Sequence, residues 1–424
     1  MKKKVFALVD CNSFYCSCER LFRPDLRKTP VGVLSNNDGC FVSRTNELKA
    51  LGVAMGAPYF QVKEICDKNK VAVFSANFSL YTNISDRVMN TLFQFTPNLE
   101  VYSVDEAFLD LTGFDEGQIE AYCHLIKETV ERNTGIPVGI GVGTTKVLAK
   151  LANRVAKKDP SVSGVYSVLK KENLEKTLER IEIGDVWGIG RQNSIKFKVL
   201  GIKTAKQLRD YPNTKLIQAE FTKVGRMIQD ELREISCFPL NEEAPKKKEI
   251  MSSRTFGAPV YDKRSMQEAL ASYASLACEK LRSQQSVCNE VEIFIRTNPF
   301  KEGVAQYVRV NAKRLESATC DTRKVIIAAF ELLDDIFISG YEYKKVAVKL
   351  MRIQDATEHQ ISLFGKYDTE NDLKLMKLMD KINTREGHET LKIAACGTNK
   401  QAWFMKQTQR SARYVTGWNE LLKI

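Results

Sequence analysis

The sequence predicts a multidomain α+β protein, and three observations carry the prediction. At 424 residues the chain has room for two to four domains, each with a core of its own. Short apolar runs of strand character alternate with amphipathic helical stretches through residues 1–170. Beyond a densely charged, proline-containing linker, NEEAPKKKE at 241–249, the pattern becomes β-α-β-β-α-β, the split βαβ order of a ferredoxin-like sheet.

Composition narrows the classes. The 43% hydrophobic and 27% charged content is that of an ordinary soluble protein, and no run of 18 apolar residues is present to span a membrane. Five apolar residues between Lys4 and Asp10 are too few for a signal-peptide core, so a cytoplasmic protein with no membrane partner is expected. Eleven cysteines without a CxxC pair, beside three histidines, argue for reduced, buried thiols rather than zinc or disulfides. The net charge of +12 is unevenly placed: residues 1–140 carry −2, 141–240 carry +8, and 241–350 and 351–424 carry +3 each. An acidic segment followed by a basic one suits a metal site beside a polyanion, although such imbalance also serves plain solubility.

Taken in order, VFALVD at 5–10 is a buried central strand that ends on a carboxylate, Asp10. A helix follows, capped by Asn12 or Ser13, with Phe14, Cys18, Leu21 and Phe22 inward and Tyr15 at another angle. VGVLS is a short strand, NNDGC a turn, and 43–51 a helix ended by Gly52, so 32–74 reads as a small insertion between core strands. VAVFSAN is the next strand and 80–95 an amphipathic helix. In YSVDEAFLDL, at 102–111, two adjacent acids interrupt an apolar run. Strand side chains alternate faces, so Asp105 and Glu106 meet at one site only at a strand end or tight turn. Residues 100–104 and 107–111 read as the arms of a hairpin, and its tip is either a solvated acidic turn or a pair of hard oxygen ligands for Mg²⁺.

A helix at 117–134 and the strand IPVGIGVG come next. In the helix at 144–158, Val147, Leu148, Leu151, Ala152 and Val155 share one face and Lys146, Lys150 and Lys157 the other, a surface stripe or a phosphate contact after a glycine-rich strand end. Residues 170–240 read as short basic helices; Gly188 and Gly190 precede one and Gly201 the next, a helix-hairpin-helix-like turn whose N–H groups suit DNA phosphate. After the linker, strands at 249–257, 289–297, 306–313 and 345–352 and helices at 263–285 and 321–338 are expected. The last 70 or so residues lack periodicity apart from 372–382, and QISLF at 360–364 has the look of a peptide that docks in a partner's groove.

Asp10 ending a strand, Tyr15 five residues on, and the Asp105–Glu106 hairpin together resemble the active site of the Y-family translesion DNA polymerases. RLFRPDL, VLSNNDGC, ELKALGVAMG, YSVDEAFLDLTG, TKVLAKLAN and DVWGIGR extend the resemblance from about residue 5 into a C-terminal tail that simpler members lack. The resemblance implies a right-hand polymerase: palm at 1–31 and 75–169, small fingers at 32–74, helical thumb at 170–240, linker at 241–248, ferredoxin-like little finger at 249–353 and partner-binding tail at 354–424. It implies that Asp10, Asp105 and Glu106, with the Cys11 carbonyl, hold two Mg²⁺ ions, and that Tyr15 excludes a ribose 2′-hydroxyl, with Phe14 beneath the incoming sugar. Ser43, Asn46, Lys49 and Lys157, or its neighbour Lys158, match triphosphate contacts, Asn46 and Lys49 standing where many relatives have Tyr and Arg. Gly188, Gly190 and Arg191 match the DNA grip. Gln360, Ile361, Leu363 and Phe364 match a sliding-clamp peptide.

The implied activity is error-prone addition of deoxynucleotides to primer-template DNA opposite damage in the SOS response, with the clamp, a UmuD-type dimer and RecA as partners. About 40 residues of fingers leave little protein to close on a nascent base pair, which suits damaged templates and low fidelity. A catalytically silent, clamp-tethered DNA-binding scaffold is the competing reading, yet it has no use for three mutually repelling acids. A palm-type nucleotide cyclase shares the acids but needs neither a basic thumb nor a clamp peptide.

Overall fold

The computed structural model describes residues 3–241, 245–357, 367–398, 403–415 and 417–421. It divides into two compact units, one of Met1–Ser35, Gly39–Ala244 and Gln409–Ile424 and one of Asn36–Asp38 and Pro245–Thr408. QISLF lies outside the described residues. Among the described residues no helix is long and apolar enough to cross a membrane.

The first unit opens with β1 (Phe6–Cys11), wholly buried, and α1 (Phe14–Leu21). The insertion that follows comprises β2 (Val31–Leu34), β3 (Phe41–Arg44), α2 (Asn46–Ala50), α3 (Tyr59–Lys68) and β4 (Ala72–Ser75). Its sheet has the order β3-β2-β4 over a small core of Leu34, Phe41, Leu48, Val53 and Cys66. Here the helix expected at 43–51 is corrected: Ser43 lies in β3, paired with Val33, and the helix begins at Asn46. Pairing with β2 outweighs the helical propensity of 43–45. The α3 helix was not anticipated; most of its apolar side chains stay at the surface, and only Cys66 is buried.

Next come α4 (Phe78–Leu92), β5 (Leu99–Val101), β6 (Glu106–Asp110), α5 (Ile119–Thr134), β7 (Val138–Gly143), α6 (Lys146–Lys158) and β8 (Val165–Ser167). The main sheet runs β5-β6-β1-β7-β8. The expected hairpin is present, Val101 opposing Ala107, with residues 102–105 forming its turn. Glycines alternate along VGIGVG, so one face of β7 has no side chains and α6 lies directly on it. A Cβ at Gly141 would stand 2.0 Å from Asn153 N and 2.3 Å from Ala149 O.

Four helices complete this unit: α7 (Lys171–Arg180), α8 (Arg191–Val199), α9 (Ala205–Asp210) and α10 (Thr214–Leu232). Their core includes Leu174, Ile189, Phe197, Ile217 and Ile228 and is shared with Val147, Leu148 and Leu151 of α6. The buried Glu231 of α10 accepts from the backbone N–H of Val147, Cys237 and Phe238, which fixes α10 against the start of α6.

The second unit is built from β9 (Ile250–Val260), α11 (Lys263–Ser283), β10 (Ser286–Thr297), β11 (Val308–Thr319), α12 (Thr322–Ile336) and β12 (Tyr343–Met351). The sheet order is β11-β10-β12-β9, antiparallel throughout, so each helix links two parallel strands with a third between them, as a split βαβ unit requires. A short β13 (Gln354–Asp355) and α13 (Glu370–Glu386) follow. Arg282 of α11 clasps Asp380 of α13 with two 2.7 Å bonds, and Cys396 and Trp403 join the unit's core.

Gly141→Ala is expected to destabilise the protein by at least about 2 kcal/mol, since helix backbone must move to admit the methyl group. Gly190→Ala, where a Cβ meets nothing within 4 Å, is the matched control. Urea-unfolding midpoints of the two variants check this, and equal midpoints would refute the close approach.

Candidate active site

The three acids converge through sheet register and one turn. Asp10, last but one in β1, lies directly opposite Glu106, the first residue of β6, so both occupy one face. Asp105 precedes the strand, within the turn, and its carbonyl accepts from Cys11 N at 2.8 Å. The turn is tight: Tyr102 and Ser103 N–H both reach the Glu106 carbonyl, at 3.0 and 3.1 Å. Ser103 Oγ donates to Asp105 Oδ1 at 2.6 Å and accepts from Glu106 N at 3.1 Å. The turn thus resolves the conflict between adjacent acids and alternating faces.

Asp10 stands between two clefts. One is lined by Asp10, Asp105, Ser13, Phe14, Tyr15, Ser43, Arg44, Lys49 and Lys157, with Val42 and Met55 as its apolar edge. The other is lined by Asp10, Glu106, Lys150, Asn153, Lys157 and Trp187. Helix α6 supplies one cation to Asp10 and another to Glu106. Lys157 pairs with Asp10, and Lys150 binds Glu106 at 3.0 Å while lying over the Tyr102 ring at 4.3 Å from its centroid. Lys158 lies apart, beside Asp159 and Arg180.

The expected lysine stripe of α6 needs correction at one end. Lys146 is 2% exposed and paired with Glu100, and it also donates to the Pro239 carbonyl at 2.7 Å. It is a structural cation; helical angle alone does not show that a neighbouring strand brings a buried acid to it.

Burial pushes the Asp10 carboxyl up to about 7; Lys157 opposes that shift, and Glu106 and Asp105 add to it. Burial likewise raises the Cys11 thiol, with Asp10 and Asp105 reinforcing the effect, so Cys11 offers a metal its carbonyl and not a thiolate. The donor set is then hard oxygen throughout, which fits a divalent cation of the Mg²⁺ class. Among the described residues no three acidic, histidine or cysteine side chains form a ready-made ion cage. Lys157 holds Asp10 and Lys150 holds Glu106, and rotation about the Lys157 side-chain bonds would release Asp10 to a cation.

On the opposite wall the charge is positive. Burial lowers the Lys49 ammonium, and Arg44 and Lys157 lower it further, which marks three cations crowded at one end of the cleft. Lys49 donates to Ser13 Oγ at 3.4 Å and to Asn46 Oδ1 at 3.1 Å. Asn46 itself does not line the cleft, and the buried Ser43 hydroxyl accepts from Cys16 N at 3.4 Å. Tyr15 lines the cleft with its ring stacked on Tyr81, centroids 4.5 Å apart and planes at 16°. Phe14 is buried beside it. Gly188, with φ of +86°, precedes α8, Gly190 caps it and Arg191 is its first residue; all three are exposed. Sequence reasoning missed Arg44, Val42 and Met55, and it placed Lys150 in the α6 stripe without pairing it to Glu106. Lys150 was visible as the residue two turns before Lys157 on one helix; the other three depend on how β3 and the loop after α2 fold over the cleft.

Residues 9–154 match the model of the impB/mucB/samB family, 247–363 its C-terminal domain, and 373–424 a domain of unknown function. The chain is 41% identical to protein UmuC of Salmonella typhimurium over 99% of its own length and 100% of the relative's. It is 26% identical to DNA polymerase IV of Clostridium acetobutylicum, over 92% of this chain and 97% of that one. Among solved structures, the Y-family DNA polymerase chimera Dbh-Dpo4-Dbh superposes with a TM-score of 0.66 at 21% identity, covering 83% of this chain and 99% of that chain.

A cation that displaces the proton on Asp10 must bind more tightly as pH rises. Mn²⁺ affinity, titrated by electron paramagnetic resonance, is expected to climb about tenfold per unit below pH 7 and then level off. In Lys157→Met the rise moves to higher pH, because the ammonium is what holds Asp10 down. A flat profile in both proteins would count against the carboxylate assignment.

Proposed function

This chain belongs to the impB/mucB/samB family as a UmuC-type, Y-family DNA-directed DNA polymerase, and on that premise we propose that it extends primers opposite damaged template at Asp10, Asp105 and Glu106. The observation that carries the assignment is the registry of Asp10 with Glu106 beside the Asp105 turn, next to a tyrosine-walled cleft with cations at its far end.

The first unit supports a palm in the β5-β6-β1-β7-β8 sheet, fingers in β3-β2-β4 and a thumb in α7 to α10; the second supports a little finger. Two Mg²⁺ ions, held by Asp10, Asp105, Glu106 and the Cys11 carbonyl, would stabilise the attacking primer 3′ oxygen and the leaving pyrophosphate. The protein's own share is arrangement. Lys157, freed from Asp10, meets the triphosphate with Lys49, Arg44 and Ser43, and Asn46 braces Lys49 from behind. Lys150 stays with Glu106 and holds its orientation through the aromatic faces of Tyr102 and Trp187. Tyr15, seated over Phe14 and against Tyr81, occupies the room a ribose 2′-hydroxyl needs. Val42 and Met55 give the cleft an apolar edge with few polar groups to test a base pair, in keeping with error-prone synthesis.

Gly188, Gly190 and Arg191 offer the N-terminus of α8 to a DNA backbone phosphate without reading bases. Gln360, Ile361, Leu363 and Phe364 serve as the clamp tether, which raises the enzyme's effective concentration at a primer end. An SOS-response role, with a UmuD-type dimer and RecA as further partners, completes the proposal.

Primer extension on an abasic template, with the UmuD-type dimer and RecA supplied, tests the reading. Mg²⁺-dependent synthesis past the lesion is expected, and Asp105→Asn should cut it by at least roughly a hundredfold. No extension under any partner combination would remove the translesion proposal. Separately, replacing Gln360, Leu363 and Phe364 by Ala should weaken clamp binding by roughly tenfold or more in a surface-plasmon titration, with metal affinity unchanged. Equal clamp affinity before and after would refute the tether.

A further inference from the structure

The chain leaves the second unit and returns to the first at Gln409, within the stretch matched only as a domain of unknown function. There it adds an extended segment beside β4. Ser75 N donates to the Gln409 carbonyl at 3.0 Å, Gln409 N donates to Ser75 Oγ at 3.0 Å, and Ser75 and Arg410 form a parallel bridge. Asn77, which caps α4, donates to Ser411 Oγ at 3.0 Å and to the Ala412 carbonyl at 3.3 Å.

Ser411 leads directly to the sugar side of the cleft. Its hydroxyl donates to Glu19 Oε1 at 3.1 Å, and Tyr81 Oη donates to the same oxygen at 2.6 Å. Glu19 is 0% exposed, Tyr81 1% and Ser411 8%. Among the described residues no cation accompanies the carboxyl, and Glu19 Oε2 accepts no hydrogen bond. A buried carboxyl held by two hydroxyls depends on both of them. Glu19 follows Tyr15 by one turn of α1, and the ring of Tyr81 is the surface on which Tyr15 stacks. The back of the tyrosine wall is therefore fixed by a three-way junction of α1, α4 and the C-terminal segment.

We propose that Ser411 and Tyr81 are positioning residues for sugar selection: through Glu19 they lock the Tyr81 ring, and with it Tyr15, at the distance that admits a deoxyribose and rejects a ribose. The C-terminal segment is on this account a working part of the nucleotide site. The inference rests on the reading of Tyr15 as the sugar gate. A purely structural segment would alter melting temperature or overall rate and leave the sugar preference alone.

The test compares kcat/KM for a deoxynucleotide with that for the matching ribonucleotide, in the full chain with its partners. Ser411→Ala and Tyr81→Phe are each expected to lower the deoxy-over-ribo ratio by roughly three- to thirtyfold, the effect of losing one hydrogen bond to a buried carboxyl. The change should arise from faster ribonucleotide use, with deoxynucleotide kcat little altered. Ser411→Thr keeps the hydroxyl and should keep the wild-type ratio. In the Tyr15→Ala background Ser411→Ala should add nothing further, since both act through one ring. If Tyr15→Ala collapses the ratio while Ser411→Ala and Tyr81→Phe leave it intact, the positioning role is refuted and the gate survives. If Tyr15→Ala leaves the ratio unchanged, the gate reading itself fails. Tyr81→Phe conserves packing volume, so it decides the matter even if Ser411→Ala folds poorly.

Discussion

The contact on which the site depends is the seating of α6 on the glycine face of β7. Ordinary helix-on-sheet packing interposes side chains, and here there is no room for them: helix backbone at Ala149 and Asn153 fills the space a Cβ at Gly141 would take. A second close contact lies at Gly143, where a Cβ would meet Ala149 N at 2.7 Å. Asn153 fastens the approach, its amide donating to the Gly139 carbonyl at 2.7 Å. With the helix that near, Lys150 and Lys157 reach Glu106 and Asp10 across the sheet end. Larger residues on that face of β7 would lift the helix and draw both ammonium groups away from the acids.

Charge then organises the cleft. Three carboxyls at one end of a sheet repel one another, and burial of Asp10 adds to the cost. The lysines of α6 offset this in the folded chain, Lys157 at Asp10 and Lys150 at Glu106. Neither pair leaves a buried charge unmatched. Arg44 and Lys157 crowd Lys49 at one end of the cleft, a mutual repulsion that an anion there would relieve.

A third level is aromatic. Phe14, Tyr15, Phe78 and Tyr81 form one packed group, with Tyr15 and Tyr81 stacked and Phe78 edge-on to both. Tyr414 stacks on Phe22 at 4.7 Å, so the last stretch of chain packs on the helix that carries Tyr15. Residues nearly 400 positions apart therefore meet behind one side chain, Ser411 with Glu19 being 392 apart in sequence.

By itself the sequence determined the local pieces. The buried strand ending in Asp10, the hairpin with two acids at its tip, the amphipathic α6 and the β-α-β-β-α-β order beyond the linker are all written in short-range periodicity, which backbone geometry turns directly into structure. The motifs around Asp10, Tyr15 and Asp105 also carried the family. The tertiary structure decided which local features face each other. Ser43 reads as helical until β2 offers it a partner, and Lys146 reads as part of a surface stripe until β5 brings Glu100 to it. Arg44, Val42 and Met55 join the site only when separate elements fold over one cleft, and Lys150 meets Glu106 only when α6 is seated on the sheet. Ser411, in a polar stretch without periodicity, gains its place only by crossing back to the first unit. Such pairings depend on long-range packing and on the cost of leaving a buried charge or hydrogen-bonding group alone, and no local window of sequence records them.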